Sequence, residues 1–154
     1  MLTASTAIFV VWGAVLAVAG GGGAGVVSAV MRDRFIFMSA QADAALFGRS
    51  VAQLYAADPA LQHTVAIYMT MLSAALGAMG VAVASLAWFG LRRGSAGALV
   101  GLVLTPVPIV AWFLVVVMQY HTAGADVGLA DVPPFVWLGA MVGLAGGLLG
   151  WKGL

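Results

Sequence analysis

The chain has 154 residues, of which 64% are apolar and 7% charged, six basic against five acidic, for a net charge of +1. A soluble domain carries about a quarter charged residues, and one this short cannot enclose so much apolar surface. With a mean hydropathy of +1.12, a soluble fold is excluded and lipid is the solvent for most of the chain. The lack of cysteine removes disulfides, iron–sulfur clusters and thiolate zinc sites. A near-neutral balance without a basic run removes nucleic acid as a partner.

In chain order, the first apolar run covers residues 7–31 and closes on Arg32-Asp33-Arg34. About 20 apolar residues cross a bilayer, so it is long enough to span. It does not read as a signal peptide: no Lys or Arg precedes it, and it exceeds a normal h-region. Residues 32–61 are too polar to span, with Asp43, Arg49 and Asp58 set among alanines, aromatics and glutamines. They read as one or two short helices at the membrane surface, broken near Gly48. Asp58-Pro59 is a helix start, Asp as N-cap and Pro at the first helical position, so the second long helix is expected to begin there, outside the membrane.

The second run, residues 64–91, closes on Arg92-Arg93-Gly94, and the third, residues 96–120, follows after a link short enough to force an antiparallel hairpin. Pro106 and Pro108 remove backbone donors in the third and should bend it. The fourth and shortest run, residues 134–151, begins after Pro133 and ends at Lys152. The fold expected is an all-α integral membrane protein. It is a single domain over residues 1–154, a four-helix transmembrane bundle with a surface-helical segment between helices 1 and 2.

Four spans put both chain ends on one side. Arg92, Arg93 and Lys152 fall on that side; Arg32, Arg34, Arg49 and all five aspartates fall on the other. The basic count is tied, and the compact Arg-Arg turn favours placing both ends in the cytoplasm. The Ala-, Gly- and Val-rich make-up, with one lysine and no asparagine, suggests a GC-rich bacterial genome and hence a bacterial inner membrane.

Lipid offers helices no hydrophobic reason to associate, so close backbone approach at small residues has to hold them together. The first run has Gly13, Ala17, Gly21 and Gly25 at intervals of four; the fourth has Gly139, Gly143 and Gly147 in the same rhythm; the second has Ala74, Ala78 and Ala82. The first and fourth spans are expected to pack on one another, with a second subunit as the alternative. Trp12, Trp88, Trp137 and Trp151 are placed near span ends, where indole prefers the interface, and Trp112 near mid-span, where its N–H needs a partner. Gly20, Gly22 and Gly25 match the spacing of a dinucleotide fingerprint, but no strand precedes them, so they are read as helix-packing glycines.

Transporters and pumps carry ionisable residues inside their spans; none falls deep in these, and glutamate is absent. The in-span hydroxyls Ser28, Thr70, Ser73, Ser85 and Thr105 are expected to bond a carbonyl one turn back. His63 starts the second span and His121 ends the third, at one membrane face and similar depth. Together they are the candidate axial ligands of a haem, and with Asp126 a candidate zinc, copper or iron site. No short-range His motif supports either, and the ordinary role of polar residues at span ends is the stronger reading, so no cofactor is the default. Met69, Met71 and Met79 suit gap filling in a bundle. Arg32 and Arg34 are candidates for holding a lipid headgroup.

The scarcity of in-membrane functional groups and the abundance of glycine faces lead to a non-catalytic expectation. The chain reads as an accessory or scaffold subunit of a larger or self-associated membrane assembly, with membrane lipids and other membrane subunits, or itself, as partners. Two alternatives stand beside it: a haem- or metal-binding redox protein using His63 and His121, and a binder or carrier of a lipid or other hydrophobic molecule.

Overall fold

The computed structural model describes residues 1–21 and 26–154. Gly25 and Gly22 lie outside the described residues. The described part is helical, with no strand. The helices are α1 (Leu2–Gly21), α2 (Val26–Met31), α3 (Ala40–Phe47), α4 (Val51–Ala57), α5 (Pro59–Ser85), α6 (Ala96–Leu104), α7 (Pro106–Thr122) and α8 (Pro134–Trp151). Four stretches are long and apolar enough to cross a membrane: Leu2–Gly21, Pro59–Arg93, Ala96–Thr122 and Pro134–Trp151. The chain is thus a multi-pass membrane protein built as a four-helix bundle.

The helix ends follow from local chemistry. Asp58 caps α5, its Oδ1 accepting from the amides of Ala60 (2.9 Å) and Leu61 (3.2 Å), with Pro59 in the first turn. These are amides that a helix N-terminus leaves without an internal partner. Ser39 caps α3, and Ser50 and Gln53 form a reciprocal capping box on α4. Between those helices Gly48 takes φ +64°, the left-handed conformation that ends a helix. Past Ser85 the second span continues as a π turn (Leu86–Gly90) and a 3-10 turn (Leu91–Arg93), and Gly94 at φ +78° reverses the chain. Thr105 separates α6 from α7 where Pro106 supplies no amide, and its hydroxyl bonds the Gly101 carbonyl at 2.8 Å.

The two glycine rows do not mesh with each other; each engages a different neighbour. On α1, a Cβ at Gly13 would stand 2.6 Å from the Ala84 amide nitrogen, and one at Gly20 would stand 2.9 Å from Cα of Gly77. From the α5 side, a Cβ at Gly80 would lie 2.8 Å from the Leu16 carbonyl carbon and closer still to Ala17. The first and second spans therefore touch backbone to backbone along most of α1. Gly21 has nothing within 4 Å of the Cβ position among the described residues, although its backbone lies close to Gly77.

On α8 the glycines divide between two neighbours. Gly139 and Gly146 receive the rings of Trp12 and Phe9 from α1, while Gly143 and Gly147 receive Pro106 and Val103 of the third span. Gly150 meets both Ser5 and Leu99. The first and fourth spans do pack together, tied by the Ser5 hydroxyl donating to the Gly146 carbonyl at 2.6 Å, but through aromatic rings seated over glycine rather than glycine against glycine. Trp12 is half-buried, its ring packed over Gly139 of α8. At the chain ends Gly153 lies against Leu2, so both ends share a face.

The segment between the first two spans folds over the bundle as a cap. Met38 and Ala42, each 1% exposed, join Val117, Tyr120, Val127, Val132 and Val136 in one apolar cluster roofing the ends of α7 and α8. A second cluster (Ile36, Val51, Tyr55, Val65, Met69) seats α4 against the start of α5. A third fills the other end of the bundle around Phe9, Leu91 and Leu102.

Candidate functional site

The polar end of the molecule centres on Asp43. In the first turn of α3, it is fully buried. Its Oδ2 accepts from the amides of Ile36 and Phe37, the latter at 3.2 Å, and its Oδ1 accepts from the Tyr120 hydroxyl at 2.5 Å. One carboxylate thus closes the loop before α3 and pins it to the end of the third span, 77 positions along the chain. Short charge-assisted bonds of this kind are the strong ones. With three donors on its two oxygens and no exposed surface, Asp43 serves as a tie between the capping segment and the third span. Neither Asp43 nor Tyr120 stands out in the sequence as part of a site. The available signal was a lone carboxylate flanked by alanines in the capping segment, with a tyrosine at the end of a span.

Around this tie the contacts are weaker and wetter. Tyr55 donates to the Arg32 carbonyl at 2.9 Å. Burial, and then the negative charges of Asp33 and Asp43, raise its pKa above the usual phenol value. Arg32 lies 3.7 Å from Asp33 with both side chains about half exposed, a pair of small energetic value. Gln62 donates to Asp33 at 3.3 Å and Ser39 to Asp131 at 3.5 Å. Arg34 is exposed.

The three ligand candidates stand on this same end, all exposed: His63 in the second turn of α5, His121 at the end of α7 and Asp126 in the following loop. They are not gathered together: among the described residues no group of three or more His, Asp or Glu could hold a metal ion. The second span packs chiefly on the first and the third on the fourth, so the helices bearing the two histidines are not principal neighbours. Of the methionines, Met69 is buried in the core and Met71 is 68% exposed.

Inside the bundle a space of about 30 Å³ is walled by Phe9, Trp12, Met79, Ile109 and Val142, with the Thr105 side chain at its edge. That is room for about one water. Of the in-span hydroxyls, Thr70 and Thr105 bond the carbonyl one turn back as expected, at 2.8 Å each, and Thr70 also meets Ser28 at 3.4 Å. Among the described residues Ser73 and Thr6 are buried hydroxyls without a partner.

No family model, curated protein or solved structure matches the chain.

Proposed function

We propose that this protein is a non-catalytic accessory subunit of a membrane assembly, joined to its partner through the third span. The observation that carries this reading is the uncovered face of that span. Only 11% of its most apolar window is buried, against 22% to 28% for the other three. Val100, Leu104, Val107, Leu114 and Met118 are exposed along one side, together with Ala111. Their spacing alternates four and three, the seam rhythm of helices that pack side by side. Beside it stands Trp112, 69% exposed near mid-span, where an indole N–H facing hydrocarbon goes without the partner it normally finds.

The interior supports the same reading by leaving little else to do. The space found inside the bundle has room for about one water, and among the described residues the one fully buried carboxylate, Asp43, is engaged in holding the cap. The glycines once counted as surplus packing faces are largely consumed within the chain, so the partner-binding face is the bulky one on α6 and α7.

A particle purified in mild detergent should carry more than one copy or a second membrane protein, measured by native mass spectrometry. A strictly monomeric particle with nothing co-purifying overturns the reading. For orientation we propose that both chain ends face the cytoplasm of a bacterial cell, because Arg92, Arg93 and Lys152 share that face without an acidic residue.

A further inference from the structure

On the face bearing the chain ends, a groove of about 510 Å³ runs between the start of α1 and the end of the second span. Its apolar wall includes Val10, Val11 and Trp88, and its polar rim Thr3, Thr6 and Arg92. That volume lies in the range of ligand pockets, about 300–1,000 Å³, whereas the bundle interior holds almost nothing.

Three independent features give the groove a sign. Arg92 is exposed, its guanidinium lies 4.4 Å from the Trp88 ring centroid, and no carboxylate pairs with it among the described residues. All five aspartates belong to the opposite end of the molecule. The first turn of α1, a 20-residue helix, carries no acidic residue, so beside Thr3 the groove meets the positive end of a helix dipole, although Gly153 packs against the Leu2 amide. The hydroxyl of Thr6 is the third feature. Thr64, Thr70 and Thr105 each donate to the carbonyl four residues back, but Thr6, only 5% exposed, has an Oγ1 with no partner among the described residues. Thr6 borders the groove, and a buried hydroxyl without a partner is a cost.

We infer that this groove binds one anionic phospholipid of the surrounding membrane. The phosphate is held at the rim by Arg92, Thr3 and the α1 amides, and an acyl chain lies along Val10 and Val11. The proposal does not depend on the third span or on any assembly. A π turn at Leu86–Gly90 places Trp88 under Arg92, which fixes the guanidinium as a planar donor.

The test uses the full chain in detergent, equilibrated with phosphatidylglycerol or phosphatidylcholine of identical chains, with bound lipid counted by native mass spectrometry. One phosphatidylglycerol per chain is expected to survive conditions that strip phosphatidylcholine. Arg92→Gln should weaken retention about tenfold, the scale of one charge-assisted hydrogen bond. Thr6→Val, close in shape, should weaken it by a smaller factor, and Arg93→Gln, outside the groove, should leave it unchanged. Equal retention of the two lipids by the unaltered protein overturns the proposal, and needs no variant to fold. So does an equal loss from Arg92→Gln and Arg93→Gln, which would mark a general attraction of the cationic face. Displacement of the lipid by millimolar inorganic phosphate alone would show a free-anion site and overturn it as well.

Discussion

Gly20 and Gly21 are adjacent in α1 and should respond oppositely to one methyl group. A Cβ at Gly20 would press on the backbone of Gly77, which cannot step aside without moving α5. Overpacking of this kind costs about 1–3 kcal/mol, so Gly20→Ala should lower the thermal unfolding midpoint in detergent. At Gly21 the Cβ position is open among the described residues, and alanine is favoured over glycine in a helix by up to about 1 kcal/mol. Gly21→Ala should therefore leave the midpoint unchanged or raise it. Matching losses from both variants would mean that the α1–α5 seam is not where the structure puts it. The same contrast explains a limit of the sequence. The interval-of-four row through Gly13, Ala17 and Gly21 reads as one stripe, yet the seam passes through Gly13 and Gly20, because a straight helix turns 3.6 residues at a time and the contact drifts.

At the scale of elements, the cap depends on Asp43. Asp43→Ala would strand the amides of Ile36 and Phe37 and the Tyr120 hydroxyl, at about 1–3 kcal/mol for each buried group left unpaired. Tyr120→Phe strands none of the amides and should cost less, about 0.5–1.5 kcal/mol. Limited proteolysis within residues 32–61 reads the difference: Asp43→Ala should open the segment to cleavage while the spans stay intact, and Tyr120→Phe should do so weakly. Equal resistance of both variants would remove Asp43 as the tie. The spans themselves were legible from apolar length alone, and the break at Gly48 and the start at Pro59 from turn and cap chemistry, because those signals are local. The pairing of spans was not. Small-residue rows occur on α1, α5 and α8 alike, and nothing in one row names its partner. The short helices between the first two spans were legible too, but not the burial of Asp43, which depends on a donor far along the chain. The candidate ligands His63, His121 and Asp126 share an end, as topology required, but sharing an end does not make them neighbours.

The third span is the element where the proposed assembly is tested most directly. The chain has no cysteine, so a single introduced cysteine reports without background. If the seam meets a second copy of the chain, Leu104→Cys and Val107→Cys should form disulfide-linked dimers on mild oxidation, and Leu144→Cys, exposed on α8, should not. If the partner is another protein, Trp112→Ala should release it without lowering the unfolding midpoint, since the ring, 69% exposed, contributes little to the bundle itself. A partner retained undiminished by Trp112→Ala and by a polar substitution at Val107 would place the interface elsewhere.

For the whole molecule, charge and topology combine into one prediction about sidedness. Both chain ends lie together at the end bearing Arg92, Arg93 and Lys152, and every aspartate lies at the other. Basic residues near span ends resist translocation while acidic ones count for little, so a three-to-three tie is decided by local density. Arg92 and Arg93 are adjacent in a tight turn with no acid nearby, whereas Arg32 stands against Asp33, which partly offsets its charge. The end with the undiluted pair should therefore be cytoplasmic. Leu154→Cys and Ala123→Cys, both exposed and on opposite ends, should separate the cases in intact cells. A membrane-impermeant maleimide should label Ala123→Cys at once and Leu154→Cys only after lysis. The reverse order would invert the molecule. It would also turn the groove at Arg92 toward the outer leaflet, so the same labelling experiment fixes which leaflet has to supply the anionic lipid.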